Sequence, residues 1–350
     1  MTSPYLIYGA NGYTGELIAR EALRRGQRPV LAGRNAEAIR SIAGELGLEH
    51  RAFALDDPRA IDDALKGMRA VLHCAGPFVR TFPPMADACL RARVHYLDVN
   101  GEIEVFERLA ARDAEARAAG VMLLPGVGFD VVPSDGLAAH LKRRLPGATR
   151  LVLAFHSVGG LSRGTATTMI ENLHRGGLIR RDGALTPVPA AWRTRQVDFG
   201  RGPRTVVCIP WGDVSTAFHS TGIPNIEVYT TATSPLLLAM KASRLLRPLL
   251  ASSAVQSFLK GRVRAGAPGP TAEQRARGRT DLWGEAADEA GGRVASRLHG
   301  PEGYTFTMLT AVAAVEKALS GSAPPGFQTA SKAYGPDFVL GIEGVTREDL

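Results

Sequence analysis

Apolar and polar positions follow a repeating order over the first 135 residues of the chain. Short apolar runs such as Tyr5-Leu6-Ile7-Tyr8 and Pro29-Val30-Leu31-Ala32 are typical of buried parallel strands, and helical spacing follows each run. Further strands are predicted at 51–54, 70–74, 94–98 and 121–124, with helices at 57–66, 81–92 and 102–119. Strands that alternate with helices predict an α/β domain with a doubly wound parallel sheet over residues 1–135.

Beyond Arg150 the pattern changes to a period of two, as in Leu151, Leu153 and Phe155. The same alternation occurs at 226–230, and further strands are predicted at 205–209 and 293–298. A period of two without intervening helices favours a mostly antiparallel sheet. We therefore expect a second, α+β domain over residues 136–323 and a C-terminal segment, 324–350, that returns to the first domain.

A glycine-rich turn joins the first strand to a helix that runs to about Arg25. Glycines at this point let the backbone turn sharply and approach a pyrophosphate, which the helix N-terminus attracts. The strand before the turn and the helix after it make the pattern specific for a dinucleotide. The predicted cofactor-binding residues of the turn are Gly9, Asn11, Gly12, Tyr13, Thr14 and Gly15, and the loop after the fourth strand adds Ala75, Gly76 and Pro77.

The end of the second strand predicts which dinucleotide binds. A site for NAD(H) would place Asp or Glu here for the ribose 2′-hydroxyl, whereas an Arg can pair with a 2′-phosphate. The segment Leu31-Ala32-Gly33-Arg34-Asn35 contains no carboxylate. Arg34 therefore favours NADP(H) as the cofactor.

Composition narrows the class of protein. The 350 residues are 45% hydrophobic, enough for two buried cores. The N-terminus lacks a basic and apolar leader, and no uncharged apolar run reaches the ~18 residues of a membrane span, so a cytoplasmic location is expected. Three cysteines form no closed disulfide framework and no metal-ligand spacing is present, so no metal is expected.

The net charge of +8 is concentrated in one part of the chain. Residues 240–279 contain nine basic residues and a single acidic residue, Glu273. No nucleic-acid-binding motif accompanies these basic residues, which disfavours a nucleic-acid partner. A helix is predicted from Ser234 to Arg247, with Leu238, Ala242, Leu245 and Leu249 on one face and Lys241, Arg244 and Arg247 on the other. Two interpretations stay open. The helix packs on the core, or the segment Lys241–Arg264 contacts an anionic lipid or an acidic carrier protein.

The motifs together resemble the saccharopine dehydrogenase-like NADP-binding oxidoreductases, including their trans-acting enoyl reductases. The resemblance is densest over residues 5–135 and looser at 160–165 and 282–285. It implies a Rossmann domain with an inserted sheet domain and NADP(H)-dependent reduction. The motifs that carry it are Gly9 to Gly15, Leu31 to Asn35, Cys74 to Phe78, Tyr96 to Glu102 and Gly126 to Asp135.

Reduction requires an acid that donates a proton, and three predicted strand ends offer candidates. Tyr96, Asp130 and Cys74 are the predicted catalytic residues. Each also has a structural interpretation, as a core aromatic, a helix cap and a small buried side chain, and Asp98 is a further cap candidate. Glu102 is expected to be a first-turn carboxylate of the helix that follows it.

We therefore expect an NADPH-dependent reductase of an activated C=C, C=O or C=N bond, acting in a cleft between the two domains. The substrate is a small molecule, lipophilic or carrier-bound, and Ser162, Arg163 and Thr165 are expected to hold a substrate anion. A binding protein that senses NADP without turnover also fits the first domain, and a homodimer is left open. The match of 160–164 to a hydrolase elbow lacks the parallel sheet and the triad order that such an elbow needs.

Overall fold

The computed structural model describes residues 5–172 and 175–350, without the side chains of Arg247 and Arg264. The helices of the described residues are α1 (Tyr13–Arg24), α2 (Ala36–Leu46), α3 (Pro58–Leu65), α4 (Phe78–Ala92), α5 (Ile103–Ala110), α6 (Asp113–Ala119), α7 (Val132–Arg144), α8 (Arg163–Asn172), α9 (Asp213–Thr221), α10 (Ser234–Ala242), α11 (Arg247–Ala251), α12 (Ser253–Arg264), α13 (Ala272–Arg277), α14 (Gly303–Leu319) and α15 (Ala330–Tyr334).

The strands are β1 (Tyr5–Tyr8), β2 (Val30–Gly33), β3 (His50–Ala52), β4 (Ala70–His73), β5 (His95–Asp98), β6 (Met122–Leu124), β7 (Arg150–Val158), β8 (Gly177–Arg181), β9 (Ala184–Val188), β10 (Thr194–Asp198), β11 (Pro203–Cys208), β12 (Asn225–Thr231), β13 (Arg279–Ala287), β14 (Arg293–Pro301), β15 (Gly326–Phe327) and β16 (Thr346–Asp349). They divide between two compact units, residues 1–132 with 304–342 and residues 133–303 with 343–350.

The first unit is built on a seven-stranded parallel sheet in the order β15-β6-β5-β4-β1-β2-β3. This confirms the doubly wound fold. The strand order reverses between β1 and β4, and ligands of such sheets bind outside the carboxyl ends of the strands at this point. The helix expected at 102–119 is in fact two, α5 and α6, and Arg112 lies between them with its guanidinium bonded to Asp87 and Glu115. Neither Gly nor Pro marks that break in the sequence.

Helix α14 belongs to the first unit, whereas the expected boundary placed it in the second domain. The helix is apolar on most sides, because it is buried rather than amphipathic. Val312 and Val315 share one buried cluster with Leu97, Met122 and Leu124 of β5 and β6. The chain therefore returns to the first unit about twenty residues earlier than expected, and its last residues, in β16, pair with β14 of the second unit.

The second unit contains a nine-stranded mixed sheet. Its pairs are antiparallel except for β12 with β7, which confirms an α+β unit on a mostly antiparallel sheet. Gly284 of β13 allows α7 to pack closely, since a Cβ at this position would lie 2.7 Å from Leu141 Cδ1. Strands β8, β9, β10 and β13 were not predicted, because their apolar positions are broken by Arg, Thr and Pro.

The helix expected from Ser234 to Arg247 ends at Ala242, and α11 begins a second helix at Arg247. Packing of its apolar face on the core, one of the two interpretations, is wrong. Leu238, Leu245 and Leu249 are exposed, and α10 has no buried residue. The side chain of Arg247, which was assigned to the opposite face, lies outside the described residues.

Candidate functional site

The glycine turn closes over the end of β1 in the first unit. Gly9 has φ +84°, a backbone conformation that side chains rarely adopt, and a Cβ there would lie 2.9 Å from Ala75 N in the loop after β4. The amides of Gly9 and Ala10 both donate to the carbonyl oxygen of Ala32, at 2.7 and 3.1 Å. The loops after β1 and β4 and the end of β2 are thereby fixed against each other at the strand-order reversal.

Gly12 and Gly15 serve different purposes. A Cβ on Gly15 would lie 2.4 Å from the carbonyl oxygen of Gly9, so this glycine allows α1 to pack on the turn. A Cβ on Gly12 would meet only that same oxygen, at 3.2 Å, and Gly12 is exposed. The N-cap of α1 is Gly12 itself, which supplies no side-chain cap to the first turn. Space and N–H donors for a diphosphate are therefore present, so the residues fit a dinucleotide.

Three more residues of the turn have defined positions. The Asn11 amide oxygen fills the space beside Gly33, because a Cβ on that glycine would lie 2.9 Å from it. The ring of Tyr13 packs edge-to-face on Tyr304, with centroids 5.1 Å apart. Thr14 is half-buried in the first turn of α1. Asn11 thus connects the phosphate turn to the end of β2, where the cofactor preference was predicted.

Arg34 is exposed directly after β2. Burial raises the pKa of Tyr8, and the positive charge of Arg34 acts in the opposite direction, which locates the guanidinium near the end of β1. The next residue, Asn35, caps α2 by accepting from the amide of Ala38 at 3.1 Å. Among the described residues no carboxylate pairs with Arg34, so its charge is available to a 2′-phosphate.

Replacing Arg34 with Ala is expected to reduce the preference for NADPH over NADH. The substitution removes a charge-assisted pair worth about 1.5–3 kcal/mol, so NADPH binding should weaken by about tenfold or more. Fluorescence titration with both cofactors measures the change. Arg40→Ala, which removes an exposed charge from α2, is the control. An equal loss for NADH and NADPH in the Arg34 variant would contradict the assignment.

The loop after β4 is held by a carboxylate from the loop after β5. Gly76-Pro77 is a cis peptide bond, and Pro77 is the N-cap of α4. Glu102 accepts from the amides of Phe78 and Val79, at 2.8 and 3.0 Å, and so caps α4. Glu102 was expected in the first turn of its own helix, but it lies at the N-cap of α5 and satisfies α4 instead. An anion site at the start of α4 is therefore already filled by the protein.

Tyr96 and Asp98 form a buried hydrogen-bond network at the end of β5. Both residues are 0% exposed. The Tyr96 hydroxyl donates to Asp98 Oδ2 at 2.7 Å, while Asp98 Oδ1 accepts from Asn100 and from the Gly126 amide at 2.9 Å. Burial raises the pKa of Tyr96 well above its usual value. The Asp98 carboxylate joins the loops after β5 and β6 in this geometry, and the phenol supports it. The catalytic role of Tyr96 stays a prediction that this burial does not favour.

Asp130 and Cys74 are half-buried at the same edge of the sheet. Burial raises the pKa of Asp130 from 3.8 to about 6. Its carboxylate lies against the backbone of the loop after β5, since a Cβ on Gly101 would lie 2.7 Å from Asp130 Oδ2. Burial also raises the pKa of the Cys74 thiol, which keeps the sulfur protonated and weakly nucleophilic. Asp130 is the group whose pKa suits proton donation near neutral pH.

The loop that carries Asp130 depends on residues that the sequence did not indicate. The Phe129 amide donates to Thr307 Oγ1 at 3.0 Å, and Thr310 Oγ1 donates to the carbonyl oxygen of Val127 at 2.8 Å. Both threonines belong to α14, which lies far along the chain and was assigned to the other domain. No local signal marks them. Their contacts with the loop of Asp130 arise only because α14 packs on the parallel sheet.

Ser162, Arg163 and Thr165 lie in the second unit at the start of α8. Ser162 Oγ accepts from the Thr165 amide at 3.2 Å, which caps the helix, and Arg163 donates to the carbonyl oxygen of Gly266. These contacts account for the polar groups of Ser162, Arg163 and Thr165 within the second unit. Their role in holding a substrate anion stays a prediction. Within residues 5–172 and 175–350, no group of three His, Cys, Asp or Glu side chains is arranged for a metal ion.

Comparison with known proteins agrees with this geometry. Residues 5–124 match the family model for the saccharopine dehydrogenase NADP binding domain. The trans-acting enoyl reductase of Mycobacterium ulcerans is 28% identical over 181 residues, 47% of this chain and 43% of that protein. A saccharopine dehydrogenase-like oxidoreductase of Arabidopsis thaliana, named as probable and mitochondrial, is 30% identical over 156 residues, 39% of this chain and 34% of that protein. The chain thus spans less than half the length of these relatives.

Apo saccharopine dehydrogenase (L-Glu forming) from Saccharomyces cerevisiae has the same fold, with a TM-score of 0.67 at 12% identity over 99% of both chains. This likeness extends to the second unit, which the family model does not reach. The glycine turn, the exposed Arg34 and the sequence match lie in the same part of the first unit. Residues 5–124 therefore match the saccharopine dehydrogenase NADP binding domain, and the chain is similar in part to saccharopine dehydrogenase-like oxidoreductases and trans-acting enoyl reductases.

Proposed function

We propose that the protein is an NADPH-dependent reductase of an activated C=C, C=O or C=N bond. The observation that carries the proposal is Asp130, a carboxyl group with a pKa of about 6 at the sheet edge that also carries the glycine turn. A carboxyl group with a pKa raised toward neutrality, at the sheet edge where ligands of such folds bind, favours an enzyme over a binding protein without turnover.

Each part of the site has a separate task in this proposal. The glycine turn binds the diphosphate, and Arg34 pairs with the 2′-phosphate. NADPH, when bound, supplies the hydride. Asp130 in its protonated form donates H⁺ to the atom that the hydride leaves electron-rich, so that one hydride and one proton together saturate the bond. The Asp98 network holds the loops after β5 and β6, and with them Asp130, in place.

The bond and substrate are proposed from the relatives and the composition of the chain. The relatives include proteins of two kinds, named enoyl reductase and saccharopine dehydrogenase-like oxidoreductase. An enoyl group in a lipophilic or carrier-bound molecule fits the first name. A substrate with several carboxylates would need several free arginines at the sheet edge, and Arg34 is already assigned to the cofactor.

A panel of acceptors tests this proposal. NADPH absorbance is followed with an enoyl thioester, an α,β-unsaturated ketone, a simple ketone and an imine, each with the wild-type chain. Consumption of NADPH with one class and formation of the saturated product support the proposal and identify the bond. Tight binding of NADPH without consumption across the panel would contradict it and leave the interpretation as an NADP-sensing protein.

A further inference from the structure

Residues 234–264 of the second unit form a surface segment, named here the docking segment, that comprises α10, α11 and α12. It contains most of the large apolar side chains that are exposed among the described residues. Leu245 is 86% exposed, Leu238 70% and Phe258 68%. The full set in the segment is Leu236, Leu238, Leu245, Leu246, Leu249 and Phe258. A concentration of exposed large apolar side chains in one surface segment indicates an interaction site.

The docking segment is also strongly basic. It contains six Lys or Arg residues, and no Asp or Glu occurs between Glu227 and Glu273. Lys241 and Arg262 are exposed in the same segment as the apolar side chains. A surface that mixes large apolar side chains with a net positive charge is suited to an anionic, partly apolar partner.

Polar contacts hold the docking segment on the second unit. Lys260 Nζ lies 2.7 Å from Glu171 Oε1, and Gln256 Nε2 donates to the carbonyl oxygen of Ile170 at 2.9 Å, which fixes α12 on α8. Arg244 Nε donates to the carbonyl oxygen of Ala190 at 2.8 Å. The helices are therefore attached by their polar groups, and many of their leucines remain directed to the outside. This is the reverse of the usual arrangement of a surface helix.

We propose that the docking segment binds the surface of an anionic lipid bilayer, with its leucines and Phe258 inserted among the acyl chains and its basic residues at the headgroups. A second copy of the chain is disfavoured because two such surfaces would bring like charges together. A folded acidic protein would need a complementary groove for side chains that protrude separately from three helices. A fluid bilayer accepts irregular apolar protrusions without such a groove. No helix of the described residues is long and apolar enough to cross a membrane, so the contact is peripheral.

Co-sedimentation of the full chain with vesicles tests the proposal independently of NADPH turnover. Vesicles of phosphatidylcholine alone are compared with vesicles of phosphatidylcholine and phosphatidylglycerol, at low and high salt. Binding is expected only with phosphatidylglycerol, and salt should weaken it. Lys241→Gln with Arg262→Gln should weaken binding by about tenfold to thirtyfold. Arg59→Gln with Arg69→Gln removes the same charge from exposed positions of the first unit and should have little effect.

A second pair of variants tests whether the apolar side chains contribute to vesicle binding. Leu245→Ser should weaken vesicle binding by about tenfold, whereas Leu350→Ser, at the exposed C-terminus, should not. Both positions are exposed, so the melting temperature should stay unchanged. Absence of binding to anionic vesicles at low salt would overturn the proposal. So would retention of polyglutamate in preference to vesicles, or a dimer that Leu245→Ser dissociates, since these would identify an acidic protein or a second copy as the occupant.

Discussion

Gly12→Val is expected to abolish NADP(H) binding while the chain remains folded. Gly12 has φ −87° and ψ 158°, an extended conformation that Val adopts readily, so the substitution causes no backbone strain. The nearest atom to a Cβ here is the Gly9 carbonyl oxygen at 3.2 Å, which leaves room for a small shift. The valine methyl groups would instead occupy the space expected for the diphosphate. Loss of one or two charge-assisted contacts weakens binding by about 100-fold or more.

Gly15→Ala is the matched control, because it lies three residues further along the same motif and has the opposite defect. Its Cβ would lie 2.4 Å from the Gly9 carbonyl oxygen, which belongs to the backbone and cannot rotate away. The free energy of unfolding should therefore fall by about 1–3 kcal/mol. Circular dichroism on heating and titration with NADPH separate the two effects. Normal NADPH affinity in the folded Gly12→Val variant would exclude the turn as the phosphate site.

The sequence predicted those parts of the site that depend on local chemistry. Gly9 and Gly15 are visible in the sequence because a side chain at either position would collide with nearby backbone atoms, and Gly12 completes the spacing of the motif. Parallel strands are visible because they are buried on both faces and hence apolar throughout. Arg34 was found because its position is fixed relative to the end of β2. All of these signals lie within a few residues of the element that they describe.

Features that depend on distant parts of the chain were not predictable in this way. Glu102 caps α4 although it lies in the loop after β5, 24 residues along the chain from Phe78. No sequence motif links two residues at that separation. Thr307 reaches the loop of Asp130 only because α14 returns to the parallel sheet. Leu238, Leu245 and Leu249 follow the spacing of a buried helix face, yet all three are exposed. An amphipathic pattern indicates which residues share a face, and the tertiary structure decides what covers it.

Asp130→Asn is expected to lower turnover by about 10²–10⁴-fold and to leave NADPH binding unchanged, because Asn keeps the shape of the side chain but has no proton to donate. In the wild-type chain the rate of reduction should fall as the pH rises through about 6, where Asp130 loses its proton. The variant should lose this dependence. Initial rates with a saturating acceptor, measured at several pH values, give both results.

Stability provides an independent measure of the same carboxyl group. Its folded-state pKa of about 6 lies above the ordinary value of 3.8, so the ionised form is the one that folding disfavours. Below about pH 4 the group is neutral whether the chain is folded or not, and it costs no stability. As the pH rises through about 6 the folded chain must hold a buried charge, and stability falls. Asp130→Asn avoids this charge, so its melting temperature should rise relative to the wild type between pH 4 and pH 7.

Tyr96→Phe is the variant that decides whether Asp130 or Tyr96, two of the three predicted catalytic residues, donates the proton. Its hydroxyl is buried and donates to Asp98, so its loss should cost about 1 kcal/mol of stability and leave turnover nearly unchanged. The opposite pattern, with normal turnover in Asp130→Asn and little in Tyr96→Phe, would transfer the proton donation to the Tyr96–Asp98 pair. It would also require that pair to become accessible during turnover, since both side chains are 0% exposed in the structure.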